Sequence, residues 1–285
     1  MKVLVTGATG FIGSYVVNEL LQRGITVIAT SLNKEKAQQK DWFLKTHYHP
    51  FDISKFAKAN NLFEYFYEPD CIIHLAWEGL PHYKSEHHLA ENLPLHKPFL
   101  KQLIEGGAKN INITGTCFEY GMQEGCLSED MPALPDNNYA IAKNELRIFI
   151  EELQQQFSFS FKWLRLFYMY GKGQAANSLI PQLEAALQRG DEIFNMSGGE
   201  QVRDFLRVEQ VAKYIVDVSL QTAVTGIINI CSNRPVTVKE LVLNYLKEKN
   251  SSIKLNPGYY PYPDFEPMKF WGSNSRLIAA LKQTG

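Results

Sequence analysis

The stretch Lys2-Val3-Leu4-Val5-Thr6-Gly7-Ala8-Thr9-Gly10-Phe11-Ile12-Gly13 decides the fold of this chain. The apolar run Val3 to Val5 predicts a buried strand. After it, Phe11, Ile12, Val16, Val17, Leu20 and Leu21 recur at helical spacing. Between strand and helix stand three glycines in a G-x-x-G-x-x-G pattern. Such a turn lets the chain leave the strand tightly at Gly7. It brings a pyrophosphate close to bare backbone at Gly10, and it lets helix and sheet pack closely at Gly13. The free N–H groups at the helix start then face the phosphates. A glycine turn alone is a weak signal, but its position between a strand and an amphipathic helix is the context a dinucleotide site requires. The candidate contacts are Gly7, Thr9, Gly10, Phe11, Ile12 and Gly13.

Working outward, the first half alternates short apolar runs with helical segments. Ile25 to Ala29, Thr46 to Phe51, Cys71 to Ala76, Asn110 to Thr114 and Phe161 to Phe167 read as strands. Phe56 to Phe66, Leu89 to Ile104 and Tyr139 to Gln156 read as helices. That alternation predicts an α/β fold with a doubly wound parallel sheet, its helices on both faces. After about Tyr170 the loops lengthen and become richer in Gly, Asn and Pro. Helices are legible at Leu179 to Arg189, Glu209 to Gln221 and Val238 to Lys249, with a strand at Gly226 to Cys231. We expect a nucleotide-binding domain over 1–168 and a smaller substrate-binding lobe over 169–285, with interleaving of the two left open.

Composition excludes several classes. In 285 residues, 45% are hydrophobic and 21% charged, ordinary values for a globular protein. A net charge of −1 gives no footprint for nucleic acid or a membrane surface. No apolar run approaches the roughly 20 residues of a membrane span. The chain opens on a core strand rather than a leader, so a cytoplasmic location is expected. Cys71, Cys117, Cys126 and Cys231 are scattered without metal-ligand spacing and are expected as free thiols. No metal site is expected; His82, His87 and His88 read as a surface loop.

A second constellation carries chemistry. Tyr139 and Lys143 are four residues apart, hence on one face of a helix, with Asp136, Asn137 and Asn138 as N-cap candidates. A tyrosine titrates near pH ~10 and is a poor base at neutrality. A neighbouring lysine cation is expected to lower that value, so that the phenol can exchange a proton with a carbonyl or alcohol as hydride moves. Such a pair also arises by chance as an exposed helical couple. The preceding strand reverses that reading, because it runs into Thr114-Gly115-Thr116-Cys117-Phe118-Glu119-Tyr120-Gly121 and places hydroxyls at a strand's carboxyl end, where ligands bind in such folds.

Together the glycine pattern, the Thr116-to-Gly121 loop and Tyr139-x-x-x-Lys143 resemble the extended short-chain dehydrogenase/reductases, and within them the NAD(P)-dependent epimerase/dehydratase group acting on nucleotide sugars. The resemblance spans nearly the whole chain. It implies Thr116, Tyr139 and Lys143 as catalytic residues, with Lys143 also holding the nicotinamide ribose. It implies an adenine contact at Asp52 and Ile53 and a loop under the cofactor at Leu75, Ala76 and Trp77. Thr116, Cys117, Asn177, Leu179 and Arg203 are the implied substrate contacts, Arg203 as a clamp on the diphosphate or nucleotide. The same likeness implies a homodimer in which the helices around Leu89–Ile104 and Tyr139–Gln156 form a four-helix bundle; Ile148, Phe149, Ile150 and Leu153 are apolar beyond one helix face.

Strand two ends in Ala29-Thr30-Ser31-Leu32-Asn33-Lys34, without the acidic residue that binds a ribose 2′-hydroxyl. Ser31 and Lys34 therefore favour NADP(H) over NAD(H), although Lys34 also reads as a solvated loop charge. The resembling 4,6-dehydratases carry an Asp-Glu pair after the catalytic threonine; Cys117-Phe118 stand here, which argues against dehydration. The segment from Pro263 to Trp271 is similar to the end of short deoxysugar reductases. The expected function is NADPH-dependent reduction of the C4 ketone of a dTDP- or CDP-linked 4-keto-6-deoxyhexose, in deoxysugar or surface-polysaccharide biosynthesis. Two alternatives stay open: an NAD-dependent 4-epimerase, and a non-catalytic NADP(H)-binding regulatory protein.

Overall fold

A computed structural model describes residues 1–58, 61–262 and 266–283, the side chains of 57 and 58 excepted. In chain order the elements of the first half are β1 (Lys2–Thr6), α1 (Phe11–Gln22), β2 (Thr26–Ser31), α2 (Lys34–Gln38), β3 (His47–Pro50), α3 (Leu62–Tyr65), β4 (Cys71–His74), α4 (Leu93–Glu105), β5 (Asn110–Thr116), β6 (Gly125–Leu127), α5 (Asn138–Leu153) and β7 (Ser160–Leu166). There follow β8 (Tyr168–Tyr170), α6 (Leu179–Arg189), β9 (Ile193–Asn195), β10 (Val202–Arg207), α7 (Val208–Leu220), β11 (Gly226–Ile230), β12 (Pro235–Thr237), α8 (Val238–Glu248), β13 (Lys254–Asn256), β14 (Phe270–Gly272) and α9 (Ser275–Leu281).

Seven of these strands form one parallel sheet in the order β11-β7-β5-β4-β1-β2-β3. The winding reverses between β1 and β4, which opens a crevice at their carboxyl ends. Side-chain alternation along each strand feeds two cores. Val3 and Val5 of β1 face Val16, Val17 and Leu20 of α1 and Val211, Ile215 and Val216 of α7. Leu4, between them, faces the other way with Ile72, Ile111 and Trp163, against Phe99 and Leu103 of α4 and Leu146 and Ile150 of α5. Burial on both faces explains why these strands read as continuous apolar runs.

The chain returns to this sheet after residue 168. β11 is its edge strand beside β7, and α7 packs on it with α1, so residues beyond 168 contribute to the large sheet. The smaller lobe holds the three-stranded sheet β12-β10-β8 and the pair β13-β9. Its own core joins Ile180 and Leu183 of α6 to Val242, Tyr245 and Leu246 of α8.

One expected helix is broken, and another runs as expected but begins irregularly. The segment expected as Phe56 to Phe66 is a 3₁₀ turn (Ile53–Lys58) and the short α3, whose new start is capped by Asn61 Oδ1 accepting from the Phe63 N–H at 2.9 Å; residues 59 and 60 lie outside the described chain. Directly before α4 comes one wider π turn, His88–Asn92; Pro94, which follows it, lacks the N–H that a regular helix would donate to the Ala90 carbonyl.

A buried ion pair locks β5 to β7. Glu119, in the turn after β5, accepts from Arg165 Nε at 2.8 Å, Trp163 Nε1 at 2.9 Å and the Thr116 backbone N–H at 2.8 Å. Both charged side chains are almost wholly buried. A Cβ on Gly115 would stand 2.1 Å from Trp163 Nε1 and 2.4 Å from Glu119 Oε1, so only glycine admits the pair. Glu119→Gln should therefore leave Arg165 buried without its counter-charge and cost roughly 3–5 kcal/mol, read as a lowered urea midpoint at unchanged slope. A midpoint matching that of the unaltered protein would show that the pair contributes nothing to stability.

Candidate active site

The crevice where the winding reverses is lined by many of the expected residues. At Gly7, φ is +66°, and a Cβ there would sit 2.8 Å from the Ala76 nitrogen; the β1 turn and the β4 loop touch backbone to backbone. A Cβ on Gly13 would come within 2.2 Å of the Gly7 carbonyl oxygen, so α1 can begin this close only as glycine. The side-chain-free cradle fits a dinucleotide diphosphate, and the first turn of α1 supplies free N–H groups to it.

One arm of the crevice runs from Thr9 and Gly10 to Ser31, Asp52, Ile53, Leu75 and Ala76. Ser31 is held by its hydroxyl at 3.0 Å from the Tyr48 hydroxyl. Lys34 is exposed on α2 and does not line this arm; Asn33 and Lys36 do. The shift follows from the cap: Asn33 Oδ1 accepts from the Lys36 N–H at 2.7 Å, curling the chain into one helical turn that carries Lys34 outward.

The other arm holds Phe11, Ile12, Thr116, Cys117 and Tyr139 together with Trp77, Tyr83, Phe118 and Tyr168. Thr116 ends β5. Its hydroxyl caps the following turn by accepting from the Phe118 N–H at 3.3 Å, and it also hydrogen-bonds the Tyr139 phenol. Asn137 starts α5 by accepting from the Ala140 N–H at 3.0 Å, which sets Tyr139 in the first turn. One turn on, Lys143 Nζ donates to the Thr114 carbonyl at 2.8 Å and lies 4.1 Å from the centre of the Trp77 ring. Three side chains separated by up to 27 positions are thus brought to one place.

The electrostatics differ from the sequence expectation. Burial raises the Tyr139 phenol well above its ordinary value, with Tyr83, Glu119 and Cys117 pushing the same way; the Thr116 hydrogen bond opposes them weakly. Burial also pulls Lys143 down to about 7, against the field of Glu119. Lys143 is not among the groups that move Tyr139: exclusion of water dominates, and the phenol keeps its proton. Such a group is built as a proton donor.

Other expectations are placed elsewhere. Arg203 does not line the crevice but is buried behind its wall, 5.6 Å from the centre of the Tyr168 ring; it donates to Glu266 at 2.9 Å and to the Met268 carbonyl at 3.1 Å, with its guanidinium 4.5 Å from the centre of the Phe270 ring. Asn177 is exposed and Leu179 packs into the small lobe, while Ser178 between them lines the crevice with Gln174 and Ala175. Asp204 binds the turn after β11, accepting from the Ser232 and Asn233 N–H groups at 2.7 and 2.8 Å. The similarity at Pro263 to Trp271 lies partly outside the described residues. His88 is no surface residue: it is fully buried, accepts from Trp77 Nε1 at 3.2 Å and packs on Tyr139. The loop carrying Tyr83 and His88 has no periodicity that would mark either as a site residue; each meets Tyr139 only through the tertiary fold. Among the described residues no cluster of metal-ligating side chains occurs, and no helix is long and apolar enough to cross a membrane.

Comparison with known proteins agrees with this geometry. Residues 3–231 match the model of the NAD dependent epimerase/dehydratase family. The chain is 30% identical over 280 residues to a dTDP-6-deoxy-L-talose 4-dehydrogenase (NAD(+)) of Aggregatibacter actinomycetemcomitans, covering 96% of this chain and all of that one. It is 23% identical over 259 residues to a dTDP-4-dehydro-6-deoxyglucose reductase of Escherichia coli, covering 84% and 79%. In fold it is similar to a UDP-glucuronic acid 4-epimerase variant of Bacillus cereus, with a TM-score of 0.84 at 21% identity over 99% and 93% of the chains. With its glycine cradle, its Thr116–Tyr139–Lys143 constellation and this match over most of its length, the chain belongs to the NAD dependent epimerase/dehydratase family, as a nicotinamide-dependent oxidoreductase of the extended short-chain type.

Proposed function

We propose that the chain reduces the C4 ketone of a nucleotide-diphosphate-linked 4-keto-6-deoxyhexose, or runs that step in reverse. The observation that carries this reading is the meeting of Thr116, Tyr139 and Lys143 beside the glycine cradle. Relatives named for hydride transfer at C4 of 6-deoxy nucleotide sugars support the substrate class. The coenzyme, when bound, supplies hydride to the sugar carbon. The chain does the rest. Thr116 donates a hydrogen bond to the ketone oxygen and orients it. Tyr139, protonated because it is buried, gives its proton to that oxygen as it becomes an alkoxide. Lys143 faces the phenolate left behind, anchored by the Thr114 carbonyl. Phe118, Tyr83 and Trp77 wall the pocket and keep water from the reacting oxygen. Glu119, the carboxylate three residues after Thr116, is committed to Arg165, which supports reduction over dehydration. Ser178 and Gln174 would receive the nucleotide.

For the coenzyme we propose NADP(H): no carboxylate ends β2, and Ser31 and Lys36 face the arm where a 2′-phosphate would lie. NAD(H) is the rival, favoured by the NAD(+) for which the talose dehydrogenase is named. We propose a homodimer across the outer faces of α4 and α5. Ile150 and Leu153 are absorbed by the chain's own core, which leaves Ile148, 37% exposed, as the apolar contact, and Lys97 pairs with Glu145 between α4 and α5.

Three outcomes are expected. With NADPH and a panel of 4-keto-6-deoxy nucleotide sugars, absorbance at the reduced nicotinamide falls with one of them; Tyr139→Phe loses about 10²–10⁴-fold in kcat while coenzyme still binds. Conversion without net coenzyme use would identify a 4-epimerase instead, and coenzyme binding without any turnover a regulatory protein. The ratio of kcat/KM for NADPH to that for NADH exceeds one and falls at least about tenfold in Lys36→Ala, the loss of one charge-assisted contact; a ratio below one rejects the NADP(H) assignment. Light scattering gives twice the chain mass, and Ile148→Glu halves it; a monomer throughout rejects the bundle.

A further inference from the structure

A line of hydrogen bonds beneath the crevice takes no part in the proposed proton transfer. Thr6 ends β1 under the loop that follows β4. Its hydroxyl oxygen accepts from the N–H groups of Leu75 at 3.2 Å and Ala76 at 3.3 Å, and it stands 2.8 Å from His74 Nδ1. With both lone pairs engaged, the hydroxyl has only its proton to offer, so His74 Nδ1 accepts. The hydrogen of a neutral His74 is then on Nε2, which lies 2.8 Å from His96 Nδ1. His96 Nδ1 is therefore an acceptor in its turn, and its own hydrogen is on Nε2. Every bond in the line points the same way, from backbone to His96.

Charged rings do not offer a way out of this logic. His74 is fully buried and His96 3% exposed. Burial and the nearby Lys143 hold both far below the ordinary histidine range, His96 at about 3 and His74 well under its usual value. His96 is also fixed in orientation, stacked on Trp77 with ring centres 4.8 Å apart and planes 26° apart. Its Nε2–H meets no acceptor among the described residues, and His96 lines the arm of the crevice that runs from Gly7 to Ser31. That N–H is a donor fixed in direction at the crevice wall, where a bound molecule can accept it.

We propose that His96 is a coenzyme-binding residue, its Nε2–H donating to an oxygen of the ribose-diphosphate part of the dinucleotide, with Thr6 and His74 as the positioning residues that hold it in that tautomer. This rests on the crevice being the coenzyme site, and the test separates the two claims. Affinities for NADPH, NADH, ADP-ribose, ADP and adenosine would be measured by calorimetry on the unaltered protein, His96→Phe and His96→Gln. The unaltered protein should bind a dinucleotide; if it binds none, the coenzyme reading itself falls and this one with it. His96→Phe should weaken dinucleotide binding by about tenfold, and His96→Gln, which keeps an N–H near the same place, should recover most of the loss. A penalty already present with ADP assigns the acceptor to the diphosphate; one that first appears with ADP-ribose assigns it to the distal ribose. His96→Phe binding every ligand as tightly as the unaltered protein would overturn the proposal. So would an equal penalty on adenosine, which would mark a collapsed crevice rather than a lost donor.

Discussion

The carboxylate of Glu119 is the constraint on which the site depends. Sealed from water, it is matched by Arg165 Nε, Trp163 Nε1 and the Thr116 N–H. A buried charge tolerates no loss of partners, because attraction and desolvation are both magnified where the dielectric is low. The end of β5 is therefore pinned to β7, and with it the threonine whose hydroxyl meets Tyr139. Gly115 shows how tight the arrangement is, since even a methyl group there would collide with both the indole and the carboxylate.

The same exclusion of water sets the proton chemistry. Tyr139 is walled by Trp77, Tyr83 and His88, with ring centres 5.3–6.2 Å away. Those neighbours raise the phenol and lower Lys143 together, because burial penalises whichever form is charged. A site made this way keeps a neutral phenol ready to give its proton to an oxygen that becomes strongly basic. The lysine is anchored through a backbone carbonyl and the face of an indole rather than through a counter-ion.

Trp77 links the two arms of the crevice. One side chain carries His96 and Lys143 against it and reaches His88 through its N–H. The geometry of the coenzyme arm and that of the reacting arm are thus not independent, and they share the backbone contact between Gly7 and Ala76. The small lobe closes the far wall through Tyr168 and Ser178, while its own polar groups, Arg203 with Glu266 and Asp204 with the turn after β11, hold the lobe together.

By itself, the sequence determined everything that depends on local period and local spacing. Apolar runs and helical repeats specified the alternating strands and helices, and the glycine spacing specified the cradle, because a positive φ at Gly7 and a close approach at Gly13 exclude side chains wherever the rest of the chain goes. The four-residue step from Tyr139 to Lys143 specified a shared helix face. Only the tertiary structure decided that β11 and α7 rejoin the large sheet, that Arg203 turns to Glu266, that Lys36 rather than Lys34 faces the crevice, and that His74 meets His96. Those outcomes join residues far apart in the chain or turn on a single capping bond, and neither leaves a periodic trace. The proton on Tyr139 belongs with them: its position is set by how much water the assembled walls exclude, a quantity no stretch of sequence carries alone.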